Sequence, residues 1–321
     1  MAAKTLSIVE AELVFIINPA ARNAGSLKVW QAVEKELLLR NRPYQVFYTA
    51  YQGHAAVIAK QVLEKTNTRV ILAVVGGDGT MHEVINGAAG FPHAAVISIP
   101  AGSGNDYARG IQGTAQYKKA MAILMDLHPD SSRSIDLGEY DSNGNKGMFV
   151  NSIGMGIDAE ITAEVNRSSA KKWFNLLKLG KLVYIYFFVK KLITYQRTDM
   201  KVIIDGQEIN LKKVWFIVVS NQPYFGGGIN ISPRSVPDDG KFNVIAVHDI
   251  SRAKLLSVFI TVFWGGHLRI RNVDSYLCNE VVIDSSKPVF VQADGEVVGQ
   301  QHVAVRLAPT KIRILYSVRD F

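Results

Sequence analysis

The chain has 321 residues, too many for one hydrophobic core of ordinary size and suited to two domains. Apolar residues make up 48% and charged residues 20%, which excludes an intrinsically disordered chain, and the single cysteine, Cys278, excludes a disulfide framework. A formal charge of +8 favours contact with something acidic, such as nucleotide, nucleic acid or anionic lipid headgroups.

No secretory leader is read at the start. The first apolar run, Leu13 to Ile17, is short, follows Glu10 and Glu12, and ends in Asn18-Pro19. That run is a buried-strand pattern. Ser26 then caps a helix to about Arg40, with Leu27, Trp30, Val33, Leu37 and Leu38 on one face. Tyr44 to Thr49 reads as a strand, His54 to Glu64 as a helix, and Arg69 to Val75 and Ala94 to Ile99 as two more strands. Continuous apolar strands separated by helices predict a parallel sheet covered on both faces, with ligands beyond the carboxyl ends of the strands. Three small-residue turns fall at those ends: Asn18 to Asn23, Gly76 to Thr80 and Ala101 to Asp106.

After about Ile135 the pattern changes. Met148 to Glu160 reads as a strand with a glycine-marked bend. Further strands are expected at Met200–Asp205, Val214–Ser220, Phe242–Val247, Val281–Ile283, Val289–Ala293, Val303–Leu307 and Ile312–Tyr316. Turn signals such as Asp205-Gly206, Asp239-Gly240 and Asp294-Gly295 join them. Helical stretches interrupt near Ala170–Tyr195 and Arg252–Trp264. The fold class is thus two-domain: an N-terminal α/β domain with a parallel sheet, over about 1–134, and a C-terminal β-rich antiparallel sandwich over 135–308. The last segment, about 309–321, is open to returning to the first domain.

The loop Gly76-Gly77-Asp78-Gly79-Thr80 is neither a Walker A motif, which needs Gly-Lys-Ser/Thr, nor the dinucleotide fingerprint, whose third glycine is replaced by His82. Bare glycines let backbone N–H groups approach an anion, and the helix N-terminus that follows adds partial positive charge. Asp78 would repel a bare phosphate; it makes sense if it orients donors or faces Mg²⁺ or its waters. The plainer reading is a turn closed by a capping acid. A second turn of the same kind, Pro100 to Asp106, weakens that reading, because the pair describes opposite walls of a nucleotide phosphate site.

The stretches "GGDGTMHEVING" (76–87) and "PAGSGNDYA" (100–108) resemble the diacylglycerol kinase catalytic family, which includes sphingosine and ceramide kinases and bacterial soluble lipid kinases. The resemblance extends to "IINPAAR" (16–22), "GGGINISPRSVPDDGKFNV" (226–244) and "QADGE" (292–296). It implies a phosphofructokinase/NAD-kinase-like ATP-binding domain followed by a lipid-facing β domain, with catalysis between them. By position, Asn18, Thr49, Gly76, Gly77, Asp78, Gly79, Thr80, Glu83, Gly102, Ser103, Asn105 and Asp106 would bind ATP. Glu296 would be the general base, with Asp294 and Asp78 also in the catalytic set. Asp239, with the carbonyls of Val236 and Lys241, would hold a structural Mg²⁺, and Asp78, Asp106 and Asp136 would organise a catalytic Mg²⁺ and its waters. Ser103 stands where Thr is commoner and Ala293 where Val is commoner; neither removes the chemistry.

Independently of family, phosphoryl transfer to an alcohol needs a carboxylate within hydrogen-bond reach, because the hydroxyl has a high pKa. Glu296 follows an Asp-Gly turn that could project it. The competing reading is an exposed turn residue. His54, His82 and His302 lack metal-ligand spacing and read as surface or packing residues.

Between Glu164 and Asp199 there is no acid, but Arg167, Lys171, Lys172, Lys178, Lys181, Lys190, Lys191 and Arg197 are interleaved with Trp173, Phe174, Tyr184, Phe187 and Phe188. That suits an anionic membrane surface, with the aromatics equally able to pack inward. No apolar run reaches the roughly 20 residues of a membrane span. Nucleic acid is disfavoured because no recognised binding motif accompanies the charge. The expectation is a cytoplasmic, peripherally membrane-associated, ATP- and Mg²⁺-dependent lipid kinase. Diacylglycerol leads as acceptor over a sphingoid base, ceramide or phosphatidylglycerol. An NAD kinase and a nucleotide-sensing membrane protein without turnover are the other readings. A homodimer through an exposed edge strand stays open.

Overall fold

In the computed structural model the described residues are 11–21, 24–128, 131–167 and 180–316, the side chains of 180–185 excepted. They divide into two compact units, one between residues 11 and 135 together with 310–316, the other between 136 and 309.

The first unit is built on β1 (Glu12–Ile17), β2 (Gln45–Tyr48), β3 (Val70–Gly76) and β4 (Ala94–Pro100), which run parallel. Every residue of β3 and β4 is buried, as expected of strands covered on both faces. The covering helices are α1 (Gly25–Leu39), α2 (His54–Glu64), α3 (Asp78–Ala88), the short α4 (Asp106–Gly110) and α5 (Tyr117–Met125). β5 (Ser132–Ile135) and β19 (Ile312–Leu315) complete a sheet of order β2-β1-β3-β4-β19-β5, in which β19 is parallel to β4 and β5 antiparallel. The expected parallel sheet is therefore mixed at one edge.

One core of this unit joins Phe15 on β1 and Trp30, Val33 and Leu37 on α1 to Ile71, Ile97 and Leu124. The rings of Phe15 and Trp30 lie 4.8 Å apart. On α3, a Cβ at Gly87 would run into the carbonyl oxygen of Ala56 on α2, so the two helices pack there only because the side chain is missing.

The second unit contains a largely continuous antiparallel sheet. Its path is β17 (Glu296–Gln300), β16 (Phe290–Ala293), β8 (Ser152–Gly156), β10 (Gln207–Ser220), β9 (Thr198–Ile204), β15 (Glu280–Ser285), β18 (His302–Leu307), β6 (Gly138–Ser142) and β7 (Asn145–Phe149). β13 (Phe242–His248) and β14 (Val273–Cys278) branch from β10. The ends of the path meet through side chains. Asn143 Nδ2 donates to the carbonyl of Gln300 (2.9 Å) and Asn145 Nδ2 to that of Val298 (2.6 Å). These bonds protect edges that would otherwise be exposed. β10 separates two cores: Val214, Ile217 and Val219 join one, and Trp215, Phe216 and Val218 the other. β11 (Tyr224–Phe225) and β12 (Ile229–Asn230) form a separate small hairpin across Gly226–Gly228.

Among the described residues, three helices cover the second core: α6 (Ile157–Arg167), α7 (Gly180–Thr194) and α8 (Arg252–Thr261), the last running into a 3₁₀ turn, Val262–Trp264. The strand expected over Met148–Glu160 is thus two strands and the start of α6. The chain turns at Gly156 (φ 137°), where a Cβ would strike the Trp215 carbonyl, and Ile157, Ile161 and Val165 then bury one helical face. Phe187 and Phe188 pack inward, while Lys191 pairs with Glu160 (2.6 Å) and Glu164 (3.4 Å), and Lys190 with Glu164 (3.4 Å). Those two lysines, expected to face lipid, have acidic partners on α6. Residues 168–179, with Lys171, Lys172, Trp173, Phe174 and Lys178, lie outside the described residues, as do Arg22 and Asn23.

Gly87→Ala should destabilise the chain by about 1–3 kcal/mol, since backbone rather than a flexible side chain must yield. Gly79→Ala, at a helical position that meets nothing within 4 Å, should leave the urea midpoint at or slightly above that of wild type. Equilibrium denaturation of both variants is the check.

Candidate active site

Strand order in the first unit places the loops after β1 and β3 side by side, at the point where the β1–β2 and β3–β4 connections diverge. Asn18 Nδ2 donates to Thr80 Oγ1 (2.9 Å), Asn18 Oδ1 accepts from the Ala20 N–H (3.0 Å), and Ser26 Oγ donates to the Asn18 carbonyl (2.6 Å). Thr80 is buried, and a Cβ at Gly76 would lie 2.8 Å from its side chain. The loops after β3 and β4 touch backbone to backbone: a Cβ on Gly102 would sit 2.5 Å from Gly77 Cα. Glycine at 102 is what permits that approach, while a Cβ at Gly77 would crowd Gly102 Cα at 3.2 Å.

An acid then ties the two loops together. Asp78, first residue of α3, accepts the Tyr107 N–H from α4 at 2.9 Å. Asn105, in the left-handed region at φ 57°, folds its amide back on Gly102, accepting that residue's N–H (3.0 Å) and donating to its carbonyl (3.1 Å). Asp106 is buried against Arg109 (3.1 Å). Glu83 accepts the Ala55 N–H at the start of α2 (3.1 Å), and the Thr49 N–H donates to the Ile17 carbonyl (2.9 Å). Ser103 is exposed. The result is a glycine-lined cradle at the N-terminus of α3, where helix amides have no intrahelical acceptor and a polyanion finds donors.

The second unit holds a comparably braced hairpin. Asp294, at φ 47°, accepts three main-chain N–H groups: Val150 (2.8 Å), Asn151 (2.9 Å) and Ser152 (3.1 Å). Its carboxylate, expected in the catalytic set, is engaged in holding the turn. Gln292 Oε1 accepts the Gly295 N–H (3.0 Å) and Asn166 Nδ2 donates to the Gly295 carbonyl (2.9 Å). Glu296, first residue of β17, pairs with Ala293 through its main chain, and its exposed carboxylate has no hydrogen-bond or ion-pair partner among the described residues. A rigid turn therefore presents one unengaged carboxylate.

Around Asp239, buried Asp136 accepts the Gly240 N–H (2.8 Å) and Asp239 accepts the Lys241 N–H (3.0 Å). Val236 and Asp239 are exposed. Among the described residues no three His, Cys, Asp or Glu side chains converge. The available donors there, one carboxylate and main-chain carbonyls, suit a hydrated hard cation rather than zinc.

Asp158 is a residue that the sequence reading did not single out. Gln292 Nε2 donates to its Oδ2 (3.3 Å), while its Oδ1 is sealed from solvent without a partner. Burial pushes its carboxyl up from an ordinary 3.8 to about 6. A Cβ at Gly154 would collide with this carboxylate, so Gly154-Met155-Gly156-Ile157-Asp158 carried a signal: a small residue kept beside an acid.

Residues 12–140 match the model of the diacylglycerol kinase catalytic domain, and residues 151–316 that of the YegS C-terminal NAD kinase beta sandwich-like domain. The chain is 29% identical over 306 residues to a Bacillus subtilis (strain 168) protein named "Putative lipid kinase YtlR", covering 94% of this chain and 98% of that one. It is 28% identical over 244 residues to a protein of Mycobacterium tuberculosis (strain H37Rv) named "Diacylglycerol kinase", covering 75% of each. A crystal structure titled as a putative diacylglycerol kinase from Bacillus anthracis str. Sterne superposes with a TM-score of 0.77 over 99% of this chain and 98% of that one; at 20% identity it shows a shared fold. The chain belongs to the diacylglycerol kinase catalytic family and carries the YegS-type C-terminal domain. It is accordingly a kinase of the lipid kinase class.

The buried Asp158 gives a pH signature. Its folded-state pKa is raised, so the folded protein holds this proton more tightly than the unfolded chain does. The stabilising difference is lost as pH rises from about 4 through about 6. Asp158→Asn should raise the melting temperature relative to wild type at pH 7.5, by an amount equivalent to about 2–3 kcal/mol at most, and the two should converge below pH 4. Thermal melts across that range check it.

Proposed function

We propose that the chain transfers the γ-phosphoryl group of ATP to a hydroxyl of a membrane lipid, most simply diacylglycerol, giving phosphatidic acid. The observation that carries this reading is the pairing of two built elements in one chain: the glycine cradle braced by Asp78, and the Asp294-held turn that presents Glu296. In this reading Asn18, Thr49, Gly76 to Thr80, Glu83 and Gly102 to Asp106 shape the ATP site. The N–H groups at the start of α3 receive phosphate oxygens, and Thr80 and Asn18 fix the loop's depth.

Glu296 accepts the proton of the acceptor hydroxyl as the new P–O bond forms. Asp294 keeps the Glu296 turn from moving and takes no proton itself. Asp239, with the Val236 and Lys241 carbonyls, is the proposed Mg²⁺ position, where the ion would lock the loop. A Mg²⁺ carried by the nucleotide supplies charge neutralisation at the transferring group. Asp106 holds Arg109 and Asp136 holds the Gly240 N–H, so in this reading both are positioning residues. The acceptor resides in a bilayer, so the enzyme works as a peripheral protein; no helix among the described residues is long and apolar enough to cross a membrane.

Labelled ATP with a total lipid extract, and separately with NAD, tests the reading. Label in phosphatidic acid is expected. Label in a sphingoid base, ceramide or phosphatidylglycerol product would move the acceptor, and label in NADP alone would replace the lipid. Glu296→Gln should lower turnover by at least about a hundredfold while leaving ATP affinity within about twofold. Wild-type turnover in that variant would remove the base assignment.

A further inference from the structure

We propose that the outer faces of α7, α8 and the 3₁₀ turn after α8 form the surface on which the second unit docks to an anionic lipid bilayer. The choice of a bilayer rests in part on the lipid-acceptor reading above.

Helix α8 is apolar on two sides. Leu255, Val258 and Val262 are buried in the core. Leu256, Ile260 and Phe263 form a second stripe at i, i+4 and i+7, exposed by 40%, 58% and 53%, and Trp264 beyond it is 65% exposed. An amphipathic surface helix turns such a stripe inward and keeps its other side polar. Helix α7 shows the same doubling. Phe187, Phe188 and Leu192 are buried, while Tyr186, Val189 and Ile193 stand exposed at i, i+3 and i+7.

The two helices are held side by side. Phe188 stacks on Phe259 with ring centroids 4.2 Å apart, and Arg252 donates to the carbonyls of Leu192 (2.9 Å) and Ile193 (3.2 Å) at the end of α7. Both unpartnered stripes therefore flank one seam. Isolated exposed apolar residues are ordinary, but paired stripes on adjoining helices are the kind of surface that is covered in use.

Charge selects what covers it. From Ile250 to Val273 there is no Asp or Glu, and Arg252, Lys254, Arg269 and Arg271 are present; from Gly180 to Thr198 there is none either. Arg252, Lys254 and Lys191 are engaged within the protein, which leaves Arg269 and Arg271 exposed on the segment that follows Trp264. A second copy seated on the same surface would bring its own arginines to the interface and, from these two segments, no acid to offset them. An anionic bilayer meets both features: its acyl region takes Leu256, Ile260 and Phe263, its headgroup level suits Trp264 and Tyr186, and its surface potential attracts the arginines.

The test is sedimentation of the full chain with vesicles lacking a lipid hydroxyl acceptor, either of phosphatidylcholine alone or of equal parts phosphatidylcholine and phosphatidylserine. Wild type should partition to the anionic vesicles and be released by high salt. Ile260→Ser with Phe263→Ser should weaken partitioning by about tenfold or more, and so should Arg269→Glu with Arg271→Glu, whose exposed side chains put folding at little risk. Unchanged binding in both pairs overturns the proposal, as does wild-type binding that ignores lipid charge. A size-exclusion shift from dimer to monomer in the apolar pair, with vesicle binding intact, would also overturn it and give the face to a second copy. Turnover of dispersed dioctanoylglycerol, measured on the same samples, separates the two readings. Retained turnover with lost vesicle binding supports docking as a distinct role. Absence of any lipid phosphorylation by wild type would refute the acceptor reading, and the vesicle result would still decide the docking surface.

Discussion

One hydrogen bond organises the N-terminal unit: the Asp78 carboxylate accepting the Tyr107 N–H at 2.9 Å. The loops after β3 and β4 leave neighbouring strands already joined by the Ala101 N–H donating to the Gly76 carbonyl (2.8 Å), and the Asp78 bond adds a side-chain tie between them. With it, and with Gly77 and Gly102 in backbone contact, they become one walled cradle. This also explains why an acid sits in a loop of phosphate-binding type. Asp78 is directed to a backbone donor of the neighbouring helix, and the charge that would repel a phosphate is spent on shaping the site. The bare helix amides beside it remain the attractive element.

The C-terminal unit repeats the device at a different scale. Asp294 gathers three amides from residues 150–152 and fixes a left-handed turn that its neighbour Gly295 continues at φ 90°. Gln292 and Asp158 brace the turn from the other side. Most of these acids and amides are engaged, Asp158 Oδ1 excepted, and the Glu296 carboxylate beyond the turn is exposed. A carboxylate carried on a turn whose neighbours are hydrogen-bonded is the kind of group a preorganised site uses.

The parts of this arrangement that the sequence disclosed are those governed by local physics. Continuous apolar runs identified β1, β3 and β4, and the helix at His54–Glu64 was delimited at both ends by its periodicity. Glycine-rich turns at strand ends located the cradle. Distant partners were not legible. The amides that bind Asp294 lie 142 to 144 positions upstream, and nothing near Asp294 announces them. The alternation of Met148 to Glu160 matched a strand because Gly154 and Gly156 hide the switch to a helix at Ile157. Lys190 and Lys191 of α7 pair with Glu160 and Glu164 on the preceding helix, a contact between elements that local charge composition does not disclose.

The most direct test of the cradle is ATP affinity in Gly102→Ala, measured by calorimetric titration on the full chain. The added methyl would sit 2.5 Å from Gly77 Cα and 3.0 Å from Asn105 Oδ1, so the two loops must part. The account predicts a Kd for ATP raised by at least about tenfold, with urea stability lowered by no more than about 1–3 kcal/mol. ATP bound as tightly as by wild type would show that the nucleotide is held elsewhere.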